Sequence, residues 1–268
     1  MDLIDNHSHS HFSFDSAMEV GQAVEAARKA GLKGICITDH FDFDPPAGIK
    51  VYDLDIDAQQ DEIEKVRDGI KDGFILLEGI EIGVQEQSME KIRSVLRENS
   101  FDCVIASQHF IDGHDPYYGE YYRGYGCREA YGRYLEAFYN GITEMEDFDI
   151  LGHYDYIVRY SPYGDTVLRY SEYSDIMDSI LRYLAENGKT LEINTKTYQL
   201  YRGKEPRMDV QVLRRFRELG GEAVSLGSDA HGPERIGDRF SLYADMARAA
   251  GIRYEAYFKG RRPCMLPL

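Results

Sequence analysis

The chain has 268 residues, of which 43% are hydrophobic and 29% charged, and a formal net charge of −16 at neutral pH. This composition excludes a disordered chain, and the length suits one α/β barrel. The acidic field repels a phosphate backbone, and no apolar run approaches a membrane span, so neither nucleic acid nor membrane is an expected partner.

In chain order, short apolar runs alternate with stretches of helical period. "LI" at 3–4 opens the series and leads into "DNHSHSHFSFDS", in which His7, His9 and His11 fall on every second residue. A helix over 18–32 places Val20, Ala23, Val24, Ala27 and Leu32 near one face and closes at Gly31. "GICIT" (34–38) continues into "ITDH", and a helix over 55–72 precedes "FILLEGIEI" (74–82). A helix over 86–99 precedes "FDCVIAS" (101–107), which runs into "SQH". The segment 111–126 carries five tyrosines and no period. It reads equally as a surface excursion packing on itself and as a substrate lid. Helices over 128–147, 171–187, 208–219 and 238–250 then alternate with "DILGH" (149–153), "TLEIN" (190–194) and "EAVSLGS" (222–228). The apolar runs lack polar alternation, as strands covered on both faces do, and the βα alternation predicts a parallel sheet in one domain spanning 1–268.

The four cysteines are scattered. Cys36 and Cys103 sit in apolar runs and read as core residues in a reducing compartment. The N-terminal "MDLIDNHSH" has no basic region followed by an apolar core. The expectation is a cytoplasmic protein with no obligate protein partner.

Six of the eight histidines lie at or just past strand ends: His7, His9, His40, His109, His153 and His231. Glu81 and Asp229 occupy equivalent positions. In a parallel barrel these ends share one face, where active sites form. A lone HxH is weak evidence for metal, but eight groups placed alike, and Asp15 shortly after the first pair, point to a metal site. In an extended segment His7 and His9 face the same way. Imidazole and carboxylate without thiolate suit zinc, iron or manganese. His11 and His114 fit less well and read as surface or substrate-loop residues. Asp15 has a competing reading as the N-cap of the first helix.

"DNHSHSHFSFDS", "ITDH", "GIE", "SQH", "GHYD" and "GSDAH", in this order over residues 5–231, resemble the polymerase-and-histidinol-phosphatase (PHP) family. The likeness is to its stand-alone histidinol-phosphatase branch. The resemblance implies a distorted (β/α)7 TIM-like barrel holding three divalent ions. It implies that His7, His9, Glu81 and Asp229 hold one ion. Glu81 would bridge to a second completed by His109 and His153, and Asp15, His40 and His231 would hold the third. Some members carry histidine where this chain has Asp15. The activity implied is hydrolysis of a small phosphomonoester, histidinol phosphate, by in-line attack of a hydroxide bridging the ions.

Glu81 and Asp229 are the catalytic candidates. The proton for the leaving alkoxide comes from Asp229 or a bound water, and the sequence leaves both open. Arg159, Arg202 and Lys196 are candidates for the phosphate grip, since cationic side chains suit its oxygens. The substrate's ammonium and imidazole call for carboxylates and aromatic faces, for which Asp42, Phe43 and the tyrosine segment are candidates. Three alternatives stand beside this reading. One is a phosphoesterase of the same fold acting on a nucleotide or phosphotyrosine. Another is an amidohydrolase, disfavoured because no lysine occupies a middle strand end. The third is a non-catalytic metal-binding protein.

Overall fold

The computed structural model describes residues 2–51 and 53–268. Its strands are β1 (Ile4–Asp5), β2 (Gly34–Asp42), β3 (Ile75–Gly83), β4 (Cys103–Ser107), β5 (Ile150–Leu151), β6 (Thr190–Asn194), β7 (Ala223–Gly227), β8 (Tyr254–Lys259) and β9 (Arg262–Pro267). They form one sheet in sequence order. β1 to β8 are parallel neighbours and β9 returns antiparallel on β8.

The sheet comes back on itself past the ends of β1 and β7. Asn6 N–H donates to Leu226 O at 2.9 Å, Asp229 N–H to His7 O at 2.8 Å, and His9 N–H to Ala230 O at 2.9 Å. The seven β/α units and this return fit the TIM-like reading. Because β1 is only two residues long, the extended run through His9 completes that side of the rim.

The helices are α1 (Val20–Lys29), α2 (Ile56–Gly69), α3 (Met89–Glu98), α4 (Cys127–Met145), α5 (Tyr156–Tyr160), α6 (Ser174–Glu186), α7 (Val210–Glu218) and α8 (Phe240–Ala249). Each long helix buries one stripe. In α6 the stripe is Met177, Ile180, Leu181 and Leu184, all fully buried. Each such side chain contributes about 1.5–3 kcal/mol relative to exposure. None of the described helices is long and apolar enough to cross a membrane.

The β8–β9 hairpin, absent from the expected elements, plugs the end of the sheet opposite the histidines. Phe258 and Leu266 close a small apolar cluster with Ile4, Cys36, Leu77, Cys103, Ile105 and Ile150. Its turn uses Gly260 and Arg261, both at positive φ, as two-residue hairpin turns require. The short α5 was also not expected. The tyrosine segment divides between the two readings. Tyr121 and Tyr122 are buried anchors, bonding through their hydroxyls to Ala130 O and Ile157 O, while Tyr117 and Tyr118 are exposed.

Candidate metal centre

The parallel register builds the site. Backbone pairing sets His40 of β2 beside Glu81 of β3. His109 and His153 follow β4 and β5 by two residues, and Asp229 and His231 follow β7. Gly152 lets the turn before His153 approach β4: a Cβ there would stand 2.3 Å from Ser107 Oγ. Asp229 adopts a left-handed backbone (φ 50°) just past β7.

Five imidazoles surround the Glu81 carboxylate. Oε1 lies 2.9 Å from His153 Nε2 and 3.2 Å from His109 Nε2. Oε2 lies 2.7 Å from His40 Nδ1, 3.4 Å from His7 Nε2 and 3.6 Å from His9 Nε2. Asp229 Oδ1 lies 3.3 Å from His9 Nε2 and 3.5 Å from His231 Nδ1. Asp15 Oδ2 is 2.9 Å from His231 Nε2, and its Oδ1 is 3.8 Å from His40 Nε2. Asp15 does not cap α1. That cap is Glu19, whose N–H bonds Gln22 Oε1.

Hydrogen bonds to the outer ring nitrogens fix several tautomers. His7 Nδ1 donates to Glu192 Oε1 (2.7 Å) and His109 Nδ1 to Asp42 Oδ1 (2.9 Å). His9 Nδ1 donates to Ser13 Oγ (3.1 Å), whose own proton goes to Asp39 Oδ1 (2.7 Å). The Nε2 atoms of these three rings therefore aim inward. His7 and His9 bring two such nitrogens to 3.1 Å of each other. Two ring nitrogens at this separation share either a proton, here on His7, or a cation that lies near both. Glu81 Oε2 and His40 Nδ1, 2.7 Å apart, and His231 Nε2, 2.9 Å from Asp15, are buried without a well-directed hydrogen bond. The centre fits divalent ions on this ground, and its oxygen and imidazole donors suit zinc, iron or manganese.

The charges are strongly coupled. Burial alone would raise the Glu81 carboxyl, but His7, His109 and His40 hold it well below the usual carboxylate range. Asp229 is likewise raised by burial and held well below it by Lys196 and His7. Burial would depress His7, yet Glu192, Glu81 and Asp229 lift it well above the ordinary imidazole value. Burial, His40 and His231 together push His9 well down.

A cavity of about 450 Å³ opens onto these groups. His40, His109, His153, Asp229 and His231 form one end, and Tyr117, Tyr118, Tyr156 and Tyr160 form its aromatic wall. Tyr117 and Tyr118 bring the 111–126 segment to the cavity, as a substrate loop would. Lys196 Nζ lies 2.8 Å from Asp229 Oδ1 and 3.2 Å from His231 Nδ1. Burial would lower its pKa, but Asp229 keeps it raised and the ammonium charged.

The other cationic candidates sit differently. Arg159 donates to the carbonyls of Lys196 and Gln199 and lines a neighbouring groove with Lys196 and Arg235. Arg202 departs from expectation. It is exposed, its guanidinium lies over the Tyr201 ring, and it does not line the cavity. The chain turns back between Tyr201 and Lys204 with Arg202 and Gly203 at positive φ, which carries Arg202 outward. Asp42 lines the cavity, but one oxygen is taken by His109. Phe43 packs on Phe41 instead. His11 lies outside the cluster beside Glu19 and Glu62, and His114 is exposed.

The sequence reading missed Ser13, Glu192 and Asp115. Glu192 had a signal, an acid in the middle of the apolar run "TLEIN". Asp115 is a cavity carboxylate whose Oδ1 accepts Tyr117 N–H (2.8 Å) and Tyr156 OH (3.3 Å).

A barrel rim with six imidazoles and three carboxylates converging beside a cavity defines the class, a metal-site β/α barrel. Residues 5–196 match the PHP domain, and the chain belongs to that family. It is similar to the histidinol-phosphatase of Lactococcus lactis, 33% identical over 98% of this chain and 96% of that protein. A "Probable histidinol-phosphatase" of Clostridium acetobutylicum is 33% identical over 94% of this chain and 95% of its own length. The crystal structure of the Lactococcus lactis histidinol phosphate phosphatase, complexed with zinc, L-histidinol and phosphate, superposes with a TM-score of 0.87. It covers 98% of this chain and 99% of that one at 33% identity.

Proposed function

We propose that this chain is a metal-dependent phosphomonoesterase that hydrolyses L-histidinol phosphate to L-histidinol and phosphate. The observation that carries the reading is the ring of five imidazoles around Glu81 at one end of an aromatic, acid-bearing cavity. The histidinol-phosphatase of Lactococcus lactis, similar over nearly the whole chain and solved with L-histidinol and phosphate, supports the substrate.

His7, His9, Glu81 and Asp229 would hold one divalent ion, Glu81 with His109 and His153 a second, and Asp15, His40 and His231 a third. Bound ions supply Lewis acidity toward phosphoryl oxygens and acidify water. The chain's own residues divide the remaining work. Lys196, charged and beside Asp229, offers a cation to the phosphoryl oxygens. Arg159 braces the Lys196 loop through its carbonyl contacts and adds positive charge at the groove. Asp229, held ionised, accepts the proton given up as water oxygen bonds to phosphorus. A proton reaches the alkoxide as the P–O bond to carbon breaks, and Asp229, having taken one from the water, would be able to return it.

On the cavity wall Asp115 would meet the substrate's cationic part, and Tyr156 and Tyr160 would offer ring faces to it. Asp42 and Asp115 on the cavity wall match a substrate whose remainder is cationic. The test measures phosphate release from histidinol phosphate, a nucleoside monophosphate and phosphotyrosine with zinc- or manganese-loaded protein. Histidinol phosphate is expected to have the highest kcat/KM, and a different best substrate refutes the assignment.

A further inference from the structure

Among the first seven strands, β6 alone sends no group into the proposed ligand set, yet it holds a buried acid, Glu192, in an otherwise apolar run. Its two oxygens are spoken for by different strands. Oε1 accepts His7 Nδ1–H at 2.7 Å, and Oε2 accepts the backbone N–H of His153 at 2.6 Å. Asn194, two residues along the same face, donates to Glu192 and reaches Asp229 Oδ2 at 3.2 Å. Gly227 of β7 is shaped around this carboxylate: a Cβ there would lie 2.0 Å from Glu192 Oε1 and 2.7 Å from the His7 Cβ.

We propose that Glu192 is a positioning residue of the metal centre, fixing the His7 tautomer and the His153 backbone so that both rings face Glu81. This rests on the ligand set of the proposed function. His7 and His153 belong to different ions of that set, so one carboxylate spans two of its three positions. A ligating imidazole whose outer N–H is held by a carboxylate gains basicity and a fixed ring plane.

The chemistry makes a sharp distinction between an acid and its amide. Glu192→Gln keeps the shape but offers one acceptor oxygen and one NH2 group. The backbone N–H of His153 has no alternative form and claims the oxygen. The NH2 then faces His7 Nδ1, which accepts only if the ring proton moves to Nε2. That proton occupies the lone pair aimed at Glu81.

Two readouts test this without substrate. The first is metal retention of zinc-loaded protein against a graded chelator, by metal analysis, for wild type and E192Q. Retention is expected to weaken roughly 10–100-fold in E192Q, the range for loss of such an outer partner. The second is one-bond proton–nitrogen correlation on the histidine rings of zinc-loaded wild type, with His7 assigned through its absence in H7Q. A His7 Nδ1–H signal is expected. If E192Q retains zinc like wild type, or wild-type His7 carries its proton on Nε2, the inference is overturned. If E192Q does not fold, the nitrogen measurement can still overturn the inference, since a His7 ring protonated only on Nε2 has no proton to give Glu192. Wild type that retains no divalent ion overturns the ligand set itself, a separate outcome.

Discussion

Replacing Asp115 by asparagine tests how the cavity recognises its substrate. The substitution keeps an oxygen for Tyr117 N–H and the Tyr156 hydroxyl, so the 111–126 segment keeps its local bonds while one negative charge disappears. A hydrogen bond to a charged partner is worth about 1.5–3 kcal/mol, and each 1.4 kcal/mol is about tenfold in affinity. One Asp115 oxygen already serves two donors, and Asp42 remains nearby, so the lower half of that range applies. kcat/KM for histidinol phosphate should therefore fall roughly 10–40-fold on D115N. Phenyl phosphate has the phosphoryl group but no ammonium, so its kcat/KM should stay within about twofold. Phosphate release measured on both substrates gives the ratio directly. Equal losses on the two would mean that Asp115 shapes the loop or the metal centre and does not read the cation.

Other perturbations separate site from scaffold. Exhaustive chelation should abolish hydrolysis, and returning zinc or manganese should restore it; activity surviving with metal analysis at zero contradicts the metal role. Arg202→Ala should leave kcat/KM within about twofold, because its exposed guanidinium contributes little, whereas Arg159→Ala should cost roughly tenfold or more by loosening the Lys196 loop. Steady-state kinetics of both variants checks the contrast. At the opposite end of the barrel, burial pushes the Glu255 carboxyl well above its ordinary value. The folded state then binds a proton that the unfolded state releases, so stability falls as pH rises from the unfolded carboxylate pKa through the raised folded one. Glu255→Gln removes that titration, and its Tm relative to wild type should climb between pH 5 and 8; a constant difference refutes the assignment.

The strand ends that carry the proposed ligands were legible in the sequence because their signal is local. A histidine or acid directly after a run such as "CVIAS" or "AVSLG" declares both its strand and its end of the barrel, and the period-two spacing of His7 and His9 declares one direction. The supporting partners were not legible in that way. Glu192 meets His7 across 185 residues of chain, and the His9–Ser13–Asp39 chain joins two strands, so each pairing exists only after the sheet forms. Arg202 was misplaced because two successive positive-φ residues reverse its loop. The β8–β9 hairpin was missed because "YEAYFKGRRPCMLP" mixes charge with apolar residues in no clean alternation. Its Gly260–Arg261 turn was the available cue.

The two ends of the barrel are opposite solutions to the same burial problem. The β8–β9 end fills with Phe258, Leu266 and inward strand residues, and that packing needs nothing from outside the chain. The histidine end buries carboxylates and imidazoles whose lone pairs converge, and several of its atoms have no hydrogen bond within the protein. Such an arrangement costs free energy until cations enter, and any ion that binds only the folded state returns that cost as RT ln(1 + [M]/Kd). The short β1 and β5, with two residues each, therefore make sense beside the ligand groups that follow them: backbone pairing there is sparse, and shared coordination would supply the rim's missing cross-links. The apolar packing at the plugged end and the parallel register together set the strand directions, and with them the spacing of the donors at the open end.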